Sequence, residues 1–149
     1  MLFLILSVIV SNLVAFLIPK NLSKKEMYAT SMFAVYFATV TDIYLNLRHD
    51  LYGYFSIGAN YISLLAVWGL YPSANIIILN YFPFGKGIKP KIIYILAWSA
   101  FLVVFEWASV KSGYFYHSGW KYWYSALVYP IILVILVWNL ILFRRLTQK

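Results

Sequence analysis

What most constrains the fold of this chain is a repeated feature: apolar runs of about bilayer-crossing length, separated by short connectors rich in basic and aromatic residues. The clearest run is 92–110, apolar except for Ser99, Glu106 and Ser109. Others cover 1–18, 27–47, 61–82 and 125–143. With 64% hydrophobic and 11% charged residues, the chain has too little polar surface to cover a water-soluble globule, so it is expected to be integral to a membrane. The runs predict an all-α polytopic membrane helix bundle of five transmembrane helices, forming a single transmembrane domain over residues 1–149.

The first run ends at Pro19 and has neither a basic leader nor a small-x-small cleavage site, so it is expected to be a retained span rather than a signal peptide. Ser7, Ser11 and Ala15 fall four residues apart, a small-residue stripe that lets another helix approach closely. Lys20, Lys24, Lys25, Lys86, Lys89, Lys91, Arg144, Arg145 and Lys149 occupy alternate segments, with only Arg48, Lys111 and Lys121 opposite them. The positive-inside rule then predicts an N-out/C-in multi-pass protein of the cell membrane. The net charge of +8 lies between the apolar runs, which favours anionic headgroups of the lipid bilayer as partner and argues against nucleic acid. With no cysteine, disulfides, thiolate metal sites and Cys nucleophiles are all excluded.

Carboxylates are expensive in hydrocarbon, so Asp42 and Glu106 draw attention. Ser31, Ala34, Ala38, Asp42, Asn46 and His49 recur at three- and four-residue intervals and share one helix face, which is expected to meet protein or water. A candidate polar pocket opening outward is therefore expected from Asp42, Asn46, His49, Glu106, Trp107, His117 and Trp120. Two readings of the acids stand side by side: a pair that binds a ligand or relays protons, and a structural lock between helices. His49 and His117 with Asp50 or Glu106 make only a weak metal pattern, without HExxH or a close His pair, so no metal is expected. Walker, GxSxG and dinucleotide motifs are missing, and no cofactor is expected. The aromatic stretch 114–124 reads first as an interfacial belt. Gly53, Gly58, Gly113 and Gly119 read as turn residues, and Pro72 predicts a kink.

Two stretches share an order of residues, which suggests a duplicated helical hairpin. One reads Tyr28, Asp42, Gly53-Tyr54-Phe55, Gly58, Tyr71-Pro72, Asn80; the other reads Tyr94, Glu106, Gly113-Tyr114-Phe115, Gly119, Tyr129-Pro130, Asn139. The step from acid to Gly-Tyr-Phe differs most, at 11 and 7 residues. The alternative is chance matching in a chain with 14 tyrosines.

The strings Leu51-Tyr52-Gly53-Tyr54-Phe55, Asn80-Tyr81-Phe82-Pro83-Phe84, Phe105-Glu106-Trp107 and Gly119-Trp120-Lys121-Tyr122-Trp123-Tyr124-Ser125 carry a resemblance. Over roughly Thr41 to Arg145 the chain resembles an uncharacterised family of small multi-span membrane proteins from Bacillus-like and clostridial spore-forming bacteria. The resemblance implies a cell-membrane location and transfers no catalytic residues. The leading expectation is a non-enzymatic accessory or small-ligand-binding membrane subunit, working with a membrane partner protein or as a homodimer. The alternatives are a proton- or cation-coupled small transporter acting as a homodimer, and an intramembrane enzyme on a lipid or isoprenoid. In the enzyme, Glu106 would be the general acid and Asp42 its partner.

Overall fold

The computed structural model describes residues 1–56 and 61–147, and the chain is mostly helical. Helix α1 (Leu2–Leu17) stops where Pro19 holds the preceding residue, Ile18, in an extended conformation. Ser23 opens α2 (Lys24–Asp42) with a capping box. Its hydroxyl accepts from the Glu26 N–H at 3.2 Å, and the Glu26 carboxylate accepts from the Ser23 N–H at 2.7 Å. Helix α2 continues as a π-helical turn, Ile43–Arg48, in which Asn46 is buried. The helix thus begins three residues before the expected run at 27–47, and its last turn is wider than an α-helix.

Strand β1 (Tyr52–Tyr54), helices α3 (Ser63–Gly69), α4 (Tyr71–Asn80) and α5 (Ile88–Lys111), strand β2 (Phe115–His117) and helix α6 (Tyr122–Thr147) follow. Ser63–Asn80, Ile88–Lys111 and Tyr122–Thr147 are long and apolar enough to cross a membrane, and Leu2–Leu17 is apolar but shorter. The short sheet was not expected from the connectors. Lys149 and Gly58, used in the charge count and the glycine reading, lie outside the described residues.

Pro72 produces a break rather than a kink. It sits in the first turn of α4, after α3 has ended at Gly69. Carbonyls at the break find side-chain donors: Asn12 Nδ2 donates to Gly69 O at 2.7 Å, and Ser73 Oγ donates to Leu70 O at 3.0 Å. Helix α1 seats here. Ser73 also donates to Ser11 at 2.9 Å, and a Cβ on Gly69 would stand 3.0 Å from both methyls of Val8. Two residues of the small stripe, Ser11 and Ala15, therefore face protein.

The core lies where α2 packs against α4 and α6, around Ala34, Ile78, Leu79, Leu133, Leu136 and Leu140. Helix α5 packs on α6 and α1 on α4. Only 22% of the apolar window of α5, and the same share of α6, is buried inside the chain. Their outer faces leave Phe101, Val104, Ile131 and Trp138 exposed, a surface that calls for lipid or a partner to cover it.

Asn80, at the end of α4, is 2% exposed and clips the connector after α1. Its amide donates to Pro19 O at 2.9 Å and its carbonyl accepts from the Asn21 N–H at 2.7 Å. Asn80→Leu removes both partners at once. It is expected to destabilise the protein by about 2–4 kcal/mol, read as a lower midpoint of thermal unfolding in mild detergent.

Candidate functional site

Two connectors that are distant in sequence are joined by the antiparallel pair β1–β2, in the register Tyr52↔His117, Gly53↔Tyr116, Tyr54↔Phe115. The Phe55 N–H extends the pairing to Tyr114 O at 3.0 Å, so the repeated Tyr-Phe dipeptides lie opposite each other. At the other end, Leu51 O accepts from the N–H groups of Ser118, Gly119 and Trp120 at 3.0, 3.0 and 2.9 Å. Gly53 is therefore a strand residue and not a turn residue, and a Cβ there would overlap the Tyr116 ring. Gly113, with φ of +78°, does make the turn that follows α5.

This ladder packs on the π-helical turn that ends α2 and on α5, which carries Glu106, 5% exposed. Ser125, near the start of α6, donates to Glu106 Oε1 at 2.8 Å, and Tyr129, one turn further on, donates to Oε2. Trp120 Nε1 donates to Ser125 Oγ at 2.7 Å, which leaves the serine proton free to point at the carboxylate. His117 Nε2 lies 2.8 Å from Oε1 but is not aligned as a hydrogen-bond donor. That contact is an ion pair when the imidazole is protonated and a misaligned approach when it is neutral. The His117 ring is held between Tyr122 and Phe115, with centroids 4.8 and 5.6 Å away.

Asp42, at the end of α2, is enclosed in the same manner. Tyr52 donates to Oδ1 at 2.7 Å and Tyr54 to Oδ2 at 3.1 Å, while Tyr71 shares a 2.8 Å hydrogen bond with Tyr54. Asp50 accepts from Tyr116 at 3.3 Å. Each of these three acids therefore accepts from a tyrosine. The two main clusters adjoin: the Tyr52 ring meets Trp120 edge-on at 5.6 Å.

The structure thus brings together Glu106, His117 and Trp120, with Asp42 beside them. Asn46 is buried behind Asp42 on the π-helical turn and accepts the Asp50 N–H through its backbone carbonyl at 2.8 Å. His49 and Trp107 do not join. His49 is exposed, its ring 5.6 Å from Tyr44. Trp107 is 51% exposed because it follows Glu106 by one residue, which turns it about 100° around α5. Two clefts, of about 500 and 370 Å³, lie elsewhere: the first is lined by Lys86 and Lys89 and the second by Lys91 and Pro130. Around Asp42 and Glu106 the side chains form a hydrogen-bonded polar layer.

Tyr52, Tyr54, Tyr71, Ser125 and Tyr129 are the site residues that the sequence reading left out. The usable signal was the Tyr-Pro dipeptide, present after each acid at 71 and 129. Among the described residues no three His, Asp or Glu side chains converge to hold a metal ion. An acid encircled by hydroxyl donors can clamp connectors together or pass a proton to a neighbouring hydroxyl. Comparison with protein families, curated proteins and solved structures found no match.

Proposed function

We propose that this chain is a multi-pass protein of the cell membrane, with five spans in an N-out/C-in arrangement, and that it acts as a non-enzymatic accessory or ligand-binding subunit. Its Asp42 and Glu106 clusters serve as locks beneath the outward face. One observation carries this reading: the carboxylate oxygens are already taken by the protein's own donors, Tyr52 and Tyr54 on Asp42, Ser125 and Tyr129 on Glu106. A general acid needs an oxygen directed at substrate, and a cation site needs oxygens free of donors. The repeated Tyr-Phe dipeptides paired across β1–β2 support a duplicated hairpin, as do the repeated tyrosines 129, which donates to Glu106, and 71, which bonds to the Asp42 partner Tyr54. A proton-coupled homodimeric transporter is the second reading, favoured by the contact of the two acid clusters through Tyr52 and Trp120.

The absence of cysteine makes single-cysteine labelling a clean test. Lys111→Cys and Lys121→Cys are expected to react with an impermeant maleimide on intact cells, and Lys86→Cys and Arg145→Cys only after permeabilisation. The reverse pattern would overturn the orientation. In proteoliposomes the accessory reading expects no proton flux. A flux that Glu106→Gln abolishes would establish the transporter instead.

A further inference from the structure

The end of the molecule opposite the acid clusters carries most of the positive charge. Lys20, Lys24, Lys25, Lys86, Lys89, Lys91, Arg144 and Arg145 lie on segments that meet there, tied by the Asn21–Asn80 hydrogen bonds and by Arg144 stacked 4.6 Å from the Phe84 ring. Glu26 is the one acid among them, and it is occupied: Arg144 Nε lies 2.5 Å from its Oε1. Burial works to raise the Glu26 pKa, but the hydrogen bonds from Arg144 and Ser23 outweigh it and hold the carboxyl below its ordinary value. Glu26 therefore cannot also serve the lysines of the next connector. Among the described residues, the ammonium groups of Lys86 and Lys89 have no acceptor or counter-ion.

Those two lysines stand on a cleft of about 500 Å³ whose other walls include Tyr81, Ile93, Tyr94 and Ala97. Its chemistry changes along its length. Lys89, Ile93 and Ala97 follow at four-residue intervals on α5, so a cationic mouth gives way to an apolar row reaching about 12 Å along the helix. Tyr94 contributes its ring, because its hydroxyl is spent on Ile78 O at 2.7 Å. A compact anion would use only the mouth of such a cleft, and an apolar peptide would leave the lysines unneutralised. A ligand with a phosphate at one end and a hydrocarbon chain at the other satisfies both parts.

We infer that this cleft binds an anionic phospholipid, with the phosphate between Lys86 and Lys89 and an acyl chain along Ile93 and Ala97. The inference rests on the bilayer reading above, which alkaline extraction of membranes tests separately for every variant. The full chain, purified in mild detergent, is exchanged against mixed micelles of phosphatidylglycerol and phosphatidylcholine, and retained lipid is counted by native mass spectrometry. Phosphatidylglycerol is expected to be retained in preference. Lys86→Gln with Lys89→Gln lowers its retention roughly thirtyfold, from the usual worth of two lysines beside an anionic headgroup. Lys24→Gln with Lys25→Gln removes the same charge outside the cleft and leaves retention near wild type. Ala97→Trp blocks the acyl row and lowers retention with both lysines in place. Equal retention of the two lipids would overturn the inference. So would an equal loss from the Lys24/Lys25 pair, which means diffuse attraction, or full displacement by soluble glycerol phosphate, which means a free-phosphate site.

Discussion

Glu106→Ala is expected to destabilise the protein by about 3–5 kcal/mol, the largest effect of any single truncation at this end of the molecule. The substitution strands two donors that the fold aims at one carboxylate, the hydroxyls of Ser125 and Tyr129, and leaves the His117 imidazole beside the gap. Ser125 cannot turn to water without opening the layer, because it is 1% exposed and its Oγ already holds Trp120. Glu106→Gln is expected to be milder, at about 1–2 kcal/mol. The amide keeps one acceptor, and the Tyr129 hydroxyl can rotate to accept from the new N–H. Unfolding followed by tryptophan fluorescence in detergent micelles reads both, since Trp120 reports on the cluster directly. An alanine variant as stable as wild type would show that the carboxylate does not hold these connectors together.

Asp42→Ala is expected to cost less, about 2–3 kcal/mol, for a reason visible in its hydrogen bonds. Tyr52 loses its acceptor outright, whereas Tyr54 still has Tyr71 to bond with. The apolar double change Asp42→Leu, Tyr52→Phe removes donor and acceptor together, leaves Tyr54 bonded to Tyr71, and is expected to recover most of that loss. A fully stable double variant that has lost a cellular function would assign the acid a role beyond locking. The two acid substitutions combined are expected to deviate from additivity by more than about 0.5 kcal/mol, because the clusters touch through Tyr52 and Trp120. Simple additivity would mean two independent locks.

Much of the helical framework could be read from local pattern. Pro19 ends the first helix, the Ser23/Glu26 box starts the second, and the apolar runs around 92–110 and 125–143 lie within α5 and α6. Asp42 and Glu106 stood out because an acid in an apolar run is rarely idle. Trp107 could have been excluded on the same information, since adjacent residues on a helix do not share a face. The strands could not. Tyr52–Tyr54 and Phe115–His117 are three residues each, too short for alternation to rise above chance, and their pairing joins residues more than sixty positions apart.

By itself the sequence determined the bilayer-length apolar runs, the segregation of basic connectors, and which acids had to be accounted for. These are properties of single segments, set by hydrophobicity and charge. Only the tertiary structure decided that the acids close on tyrosines and a serine. Hydrogen-bond partners are chosen by which backbone ends are brought side by side. Here β1, held against β2, supplies Tyr52 and Tyr54 to Asp42, and the packing of α6 on α5 supplies Ser125 and Tyr129 to Glu106.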